Sequence, residues 1–289
     1  MKVGIFYFSG TGNTEIVASK WLFEAKKQGI DASLIKIEEE NFDLSKVSEF
    51  DKIAFAYPVH AFNAPENVWR YALKFPNFDK KIPVFFIMVS GEYLAMNHSS
   101  YKKLMHILKK KGFVYESEYH YLMPYNMIFR HTEKRAYQMY EAMENIIPLD
   151  VKEYLVDGKT HRLRHVHPSG WFIALLRIEQ WFSGVNGKHF KINSSKCIKC
   201  MKCVNNCPTK NIKFVDGKFK FENRCLLCTR CSFNCPVDAF SIALLNGWRV
   251  NKPYAFKKPE SEEKDRHSWY CKNSYKRYFR EIENRLKTL

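Results

Sequence analysis

Eight of the nine cysteines in this 289-residue chain fall in two runs of the same form. The first is Cys197, Cys200, Cys203 and Cys207, followed by Pro208. The second is Cys225, Cys228, Cys231 and Cys235, followed by Pro236. Both read C-x2-C-x2-C-x3-C-P, and each cysteine lies 28 residues from its counterpart, so the segment is an internal repeat. The spacing suits a cubane cluster, which takes one thiolate on each of its irons. Three thiolates come from one tight loop, because two intervening residues let the backbone wrap the cube. The fourth must approach from another direction, and in runs of this form the fourth cysteine ligates the other cluster. This assigns Cys197, Cys200, Cys203 and Cys235 to one [4Fe–4S] cluster and Cys225, Cys228, Cys231 and Cys207 to a second. The prolines fix φ and turn the chain away after each run. Structural zinc is the competing reading, but zinc takes cysteines in pairs around one tetrahedral ion, and a third cysteine two residues further on fits that badly. Disulfides belong to oxidising compartments. The opening MKVGIFYFSG has no apolar region ending in a small-residue cleavage site and reads as a strand.

With these residues in view, residues 189–245 resemble the two-cluster bacterial ferredoxins. Lys196, Lys199, Lys202, Arg224 and Arg230 lie close in sequence to the ligands, where positive charge favours the more negative, reduced cluster. Asp216-Gly217, inside NIKFVDGKFKFE, signals a hairpin turn. Helical turns are expected after Pro208 and Pro236.

A second set of chemically capable residues stands at the other end of the chain. The apolar run KVGIFYF is followed by SGTGNTE and then by IVASKWLFEAKKQG, which has helical spacing and closes on Gly29. The order is strand, loop of Ser, Thr and Gly, helix. Such a loop binds phosphate because the first helical N–H groups are unpaired, the dipole is positive there, and small residues allow close approach. The loop has no lysine, which sets it apart from the GxxxxGK[ST] nucleotide loop, and it is not GxGxxG. The pattern Ser9-Gly10-Thr11-Gly12-Asn13-Thr14, placed directly after the first strand, resembles the FMN-phosphate loop of flavodoxins. A Ser/Thr cap with no ligand is the plainer alternative.

The elements that would position these residues alternate between strand and helix. Strand patterns cover 31–37, 52–58, 81–90 and 113–124, and helical patterns cover 65–75, 98–112 and 132–158, with a break expected at Pro148. Five strands with helical crossovers match an α/β, flavodoxin-like, doubly wound parallel sheet of order 2-1-3-4-5, where ligands sit at the carboxyl ends of the strands. Two loops lie at such ends, Tyr57 to Asn63 and Ser90 to Leu94. The resemblance implies that they hold the isoalloxazine ring. Pro58, His60, Phe62, Asn63, Ser90, Gly91 and Tyr93 are the candidate contacts, with Tyr93 the first choice for stacking. Gly91 would let a peptide carbonyl turn toward the flavin.

The expected organisation is a flavodoxin-like domain over 1–158, a connector over 159–188, an α+β two-cluster ferredoxin domain over 189–245, and a basic aromatic tail over 246–289. In the connector, His161, His165 and His167 stand among arginines as a solvated basic loop, and 171–182 reads as an amphipathic helix. No run of eighteen apolar residues is present, so no membrane span is expected. The net charge of +17 lies wholly in residues 158–289, with 27 Lys and Arg against 10 Asp and Glu. Part of it offsets the clusters, and the rest suits an acidic redox partner. Nucleic acid is not expected, since no binding motif accompanies the charge. The ninth cysteine, Cys271, has no partner in this scheme.

The whole resembles the flavodoxin–ferredoxin fusion proteins of anaerobic bacteria. This implies FMN, two [4Fe–4S] clusters, a cytoplasmic setting and electron transfer to or from a redox partner. The alternatives are a flavin-dependent reductase of a quinone or nitro compound, and a basic redox-sensing binding protein. Protein purified without oxygen should contain about eight irons, about eight acid-labile sulfides and one flavin per chain. Zinc in place of iron would overturn the cluster assignment.

Overall fold

The structure, a computed structural model, describes residues 1–38, 42–165, 178–260 and 269–287. Five strands form the main sheet: β1 (Lys2–Tyr7), β2 (Asp31–Lys36), β3 (Lys52–Pro58), β4 (Ile82–Ser90) and β5 (Phe113–Leu122). Their order is 2-1-3-4-5 and every neighbouring pair is parallel. The fold is therefore flavodoxin-like, as the alternation of patterns implied. β1, β3 and β4 are almost wholly buried, which is why they read as continuous apolar runs and not as alternating ones.

Helices α1 (Asn13–Lys27), α2 (Glu66–Leu73), α3 (Lys102–Lys109) and α4 (Glu133–Val151) cover the two faces. One core gathers Val17, Ala18 and Trp21 of α1 with Met139, Met143 and Ile147 of α4. The opposite core gathers Val68 and Ala72 of α2 with Leu104 and Leu108 of α3. Pro148 does not break α4. The helix runs through it to Val151 and then widens into a π turn over Lys152–Val156. Ile146, Ile147, Leu149 and Val151 are buried on both sides of the proline. Their burial, at about 1.5–3 kcal/mol each, outweighs the roughly 3 kcal/mol that an interior proline costs. The free edge of β5 is covered by the chain at His161 to Leu163. Glu118 N–H donates to the His161 carbonyl at 3.1 Å, and Leu163 N–H donates to Glu118 Oε1 at 2.9 Å. An open sheet edge is thereby closed.

The C-terminal module starts on α5 (Ile178–Lys188); the rest of the expected 171–182 helix lies outside the described residues, as does His167. Two short ribbons follow, β6 (Lys191–Ile192) with β9 (Phe240–Ser241), and β7 (Ile212–Val215) with β8 (Lys218–Phe221). Asp216 and Gly217 turn the second ribbon with φ of 51° and 73°, the geometry of a two-residue hairpin turn. Helical turns α6 (Lys202–Asn205) and α7 (Arg230–Phe233) lie before the two prolines, not after them. The C-x3-C spacing explains this. Positions i and i+4 are one helical turn apart, so the turn is needed between the third and fourth cysteines.

The tail returns to the first domain. Tyr275, Tyr278 and Ile282 of α8 (Trp269–Leu286) belong to the core that contains Trp21. A buried polar chain holds the helix there. Trp21 Nε1 donates to the Tyr121 hydroxyl at 3.0 Å, and Tyr121 donates to Asp150 Oδ2 at 2.6 Å. Arg285 closes the chain on Asp150 Oδ1 at 2.6 Å. Among the described residues no helix is long and apolar enough to cross a membrane.

Arg285→Ala should lower stability by about 3 kcal/mol, because it strands a buried carboxylate. Burial already raises the Asp150 pKa against the pull of Arg285. Without the arginine the folded value lies above the unfolded one. Such a group supports the fold below its unfolded pKa and opposes it as pH rises. The deficit should therefore shrink as the pH is lowered toward about 4; denaturant melts at pH 7 and pH 4.5 showing equal deficits would exclude this account.

Candidate cluster sites and ligand cavity

The 28-residue repeat is visible in the backbone. Lys199 and Leu227 both have φ of 50°, Met201 and Thr229 have 55° and 54°, and Lys210 and Asp238 have 51° and 49°. These left-handed residues aim backbone N–H groups inward at the sulfurs. Lys199 N–H donates to Cys197 Sγ at 3.4 Å, and Leu227 N–H to Cys225 Sγ at 3.4 Å. Asn211 N–H donates to Cys207 Sγ at 3.2 Å, and Ala239 N–H to Cys235 Sγ at 3.3 Å. Such bonds stabilise negative charge on the sulfur and are one of the protein's levers on cluster potential.

The cysteines ring two cavities. One is lined by Cys197, Cys200, Cys203 and Cys235, together with Cys231. The other is lined by Cys207, Cys225, Cys228 and Cys231. Each cavity thus takes its fourth cysteine from the other run, and Cys231 lies between the two. Among the described residues, no three Cys, His, Asp or Glu side chains converge closely enough to hold a single metal ion. The sites differ in exposure. Cys200 is exposed, although burial pushes its neighbour Cys203 up to about 11; at the second site burial pushes Cys225 up to about 12 and Cys228 up to about 11. Ligation must displace those protons, so iron binding and burial of the second site are coupled.

A third cavity, of about 410 Å³, opens at the carboxyl ends of the main strands, within the size range of small-molecule sites. Ser9, Gly10, Thr11, Asn13 and Thr14 line its floor. Gly12 makes the turn into α1 with φ of 108°, a conformation in which glycine is least strained. Its N–H donates to Ser9 Oγ at 3.1 Å, which leaves the Ser9 hydroxyl proton for a ligand. After β3, His60 and Asn63 exchange two backbone hydrogen bonds of 2.9 Å around Ala61 and Phe62, both at positive φ. Phe62 is thereby presented to the cavity. His60 also faces it, and desolvation draws its pKa down to about 4, so the ring is neutral at pH 7. After β4, Ser90, Gly91, Glu92, Leu94 and Asn97 form a second wall.

The remaining wall comes from the C-terminal module. Leu227, Cys228, Thr229 and Trp248 complete the lining. Cys228 therefore borders both this cavity and the second cluster cavity. The approach is close: a Cβ on Gly10 would stand 2.6 Å from the Cys228 carbonyl oxygen.

Residues 196–239 match the family model for a 4Fe-4S dicluster domain. The C-terminal module is a dicluster domain. No match was found among curated proteins. Among solved structures, the flavodoxin of Streptococcus pneumonia TIGR4 is 15% identical over 52% of this chain and 99% of that one, with a TM-score of 0.35. A flavodoxin from the domain Archaea is 15% identical over 53% of this chain and 99% of that one, with a TM-score of 0.33. The two-electron-reduced flavodoxin of Megasphaera elsdenii is 20% identical over 42% of this chain and 85% of that one, with a TM-score of 0.32. The fold assignment of the first domain rests on its strand order and register.

The structure departs from the expected ring contacts at Tyr93 and Asn63. Tyr93 does not line the cavity. It is 5% exposed, its hydroxyl donates to Glu281 at 3.0 Å, and its backbone N–H donates to Ser274 Oγ at 2.5 Å. Both partners are on α8, so the returning tail draws this tyrosine under itself. Asn63 likewise faces away, with its amide on the Ala61 carbonyl at 2.9 Å, where it shapes the turn. Pro58, His60, Phe62, Ser90 and Gly91 do line the cavity. Missed in the sequence were Met123 to Ile128 after β5, and Glu92. Tyr125 packs its ring over Gly91 and donates its hydroxyl to Glu92. Asn126 donates to Thr11 Oγ1. The carboxyl-end rule that singled out the loops after β3 and β4 also applies to the loop after β5.

The crossed ligation can be tested by iron counting. In the double variant Cys207→Ser/Cys225→Ser both lost ligands belong to one cluster, so about four irons per chain should remain. Loss of nearly all the iron would instead mean that each run holds its own cube.

Proposed function

We propose that the chain is an electron-transfer protein in which the two [4Fe–4S] clusters pass single electrons to or from a flavin mononucleotide held in the large cavity. The flavin would exchange electrons one or two at a time, whereas each cluster exchanges one. The observation that supports this most directly is Cys228, which borders the second cluster cavity and the large cavity together. Cys231 borders both cluster cavities. The order along the chain of sites is therefore first cluster, second cluster, flavin.

The residues fit the flavin. Ser9 to Thr14 offer hydroxyls and helix N-terminal N–H groups for a phosphate, and Phe62, Tyr125 and Trp248 give apolar edges to the space above. The Leu227 to Thr229 loop and Trp248 of the tail supply the wall of the cavity on the side of the C-terminal module. The first cluster lies on the outer side, next to the exposed Cys200, Ile198, Lys196, Lys199 and Lys202. An acidic redox partner would dock at this basic face. The polar pair of Glu92 and Tyr125 in the cavity wall is the feature that favours the second reading, reduction of a small acceptor at the flavin.

In protein loaded with both cofactors, a partner-sized one-electron donor should reduce the flavin in the wild type. In Cys228→Ser, which lacks the second cluster, it should reduce the flavin at least about tenfold more slowly, while dithionite still reduces it. Equal rates in the two proteins would sink the relay. Turnover of a quinone by the intact wild type would favour the reductase instead.

A further inference from the structure

Arg230 stands between the ligands Cys228 and Cys231 and borders both cluster cavities, yet its guanidinium reaches into the first domain. Nε donates to the Gly10 carbonyl at 2.9 Å and Nη2 to the Ser9 carbonyl at 2.5 Å. Nη1 donates to the Asn206 carbonyl at 2.9 Å and to Glu38 Oε2 at 2.6 Å, and Nη2 also meets Glu38 Oε1. The side chains of Arg230 and Glu38 are each 13% exposed. All three guanidinium nitrogens are engaged, in a planar fork that a lysine cannot reproduce.

The consequence follows from peptide geometry. In a trans peptide the C=O and N–H of one unit point in opposite directions. With the Ser9 and Gly10 carbonyls turned to Arg230, the N–H groups of Gly10 and Thr11 point the other way. Gly10 and Thr11 line the large cavity, and neither N–H has an acceptor among the described residues. Two successive N–H groups aimed into one concavity bind anions. Glu38 neutralises the guanidinium, so Arg230 acts on this loop through direction more than through charge.

We propose that Arg230, supplied by the dicluster domain, is a positioning residue for the phosphate site of the first domain, and that it links binding of a flavin phosphate to assembly of the second cluster. The proposal rests on the flavin reading above. The second cluster fixes Cys228 and Cys231, these fix Arg230, and Arg230 fixes the Ser9 to Thr11 loop. Linkage is reciprocal in binding free energy, so flavin phosphate should strengthen equilibrium binding of the second cluster by the same factor.

The test is equilibrium binding of FMN and of riboflavin, which lacks the phosphate, to the full cluster-loaded chain, read by flavin fluorescence. Arg230→Gln should weaken FMN about ten- to a hundredfold, the range for hydrogen bonds that serve a charged group, and leave riboflavin unchanged. Iron content and far-UV circular dichroism verify that the variant is folded. Should it lose iron, Arg230→Lys, which keeps the positive charge but not the planar fork that holds both carbonyls, should still show a smaller loss confined to FMN. Cys207→Ser/Cys225→Ser should show the FMN-only loss as well. Equal weakening of FMN and riboflavin, or no weakening of FMN, overturns the role of Arg230. Wild-type protein that binds FMN no better than riboflavin overturns the phosphate site itself, and the flavin reading with it.

Discussion

The contact of Gly10 with Cys228 is the constraint on which the rest of the molecule depends. Electron exchange falls steeply with distance, so close approach of a cluster loop to a cofactor loop in another domain favours it. Here the loop of Cys228 lies so near the Ser/Thr/Gly loop after β1 that no side chain fits between them, the ideal Cβ on Gly10 standing 2.6 Å from the Cys228 carbonyl oxygen. Two backbones this close need their polar groups answered, because an unpaired buried carbonyl costs about 1–3 kcal/mol. Arg230 answers the Ser9 and Gly10 carbonyls from the opposite domain. Thr229 answers Asn126 at 3.3 Å. The interface is thus polar and directional where the electrons would cross.

The dicluster domain cannot supply this precision from its own core. Among the described residues its core cluster of buried apolar side chains is small, Phe190, Ile212, Leu227, Phe240 and Ile242, with partly buried residues such as Ile192, Val204 and Phe221 packed against it, and a domain of this size ordinarily needs metal or a larger neighbour to stay folded. Both are open to it here. Each cavity is lined by cysteines of both runs, so a cluster in either would staple one run to the other. Leu226 and Cys228 pack against the core beneath α2 and α3. Cluster assembly and domain docking would in this sense be parts of one folding reaction.

The tail completes the enclosure from the other side. Between Trp248 and Tyr254 it runs along the loop after β5. The Trp248 carbonyl accepts from Ile128 N–H at 2.7 Å, Tyr254 donates to the Tyr125 carbonyl at 2.7 Å, and Arg130 donates to the Lys252 carbonyl at 2.7 Å. Helix α8 then enters the first core. The chain therefore leaves the α/β domain, builds the cluster domain, and returns, so that neither can shift without disturbing the cavity wall. Beneath α8 lies a polar interior of Tyr93, His98 and His120, where burial draws the His98 pKa down to about 4 and holds that of His120 well below the ordinary imidazole value. These rings are neutral at pH 7 and pack as aromatic groups.

Local chemistry determined what the sequence by itself could show. The cysteine spacing, the Ser/Thr/Gly loop after β1, the Asp216-Gly217 turn and the apolar runs of β1, β3 and β4 each depend on neighbours a few residues away. They were sufficient for the two-cluster module, the candidate phosphate loop and the strand–helix alternation, whose resemblance to flavodoxins implied the sheet order. Long-range packing decided the rest. Tyr93 had the type and position of a stacking residue, but a helix nearly two hundred residues later takes both its hydroxyl and its backbone N–H. Pro148 was read as a breaker, and burial of the residues around it carries α4 through. Tyr125 and Asn126 reach the cavity because the tail pins their loop. Arg230 looked like one more charge beside a candidate ligand, and only the docked domains show its guanidinium behind the loop of Ser9 and Gly10. A residue's type sets which bonds it can make, but which partner lies within about 3 Å of it is settled by the fold.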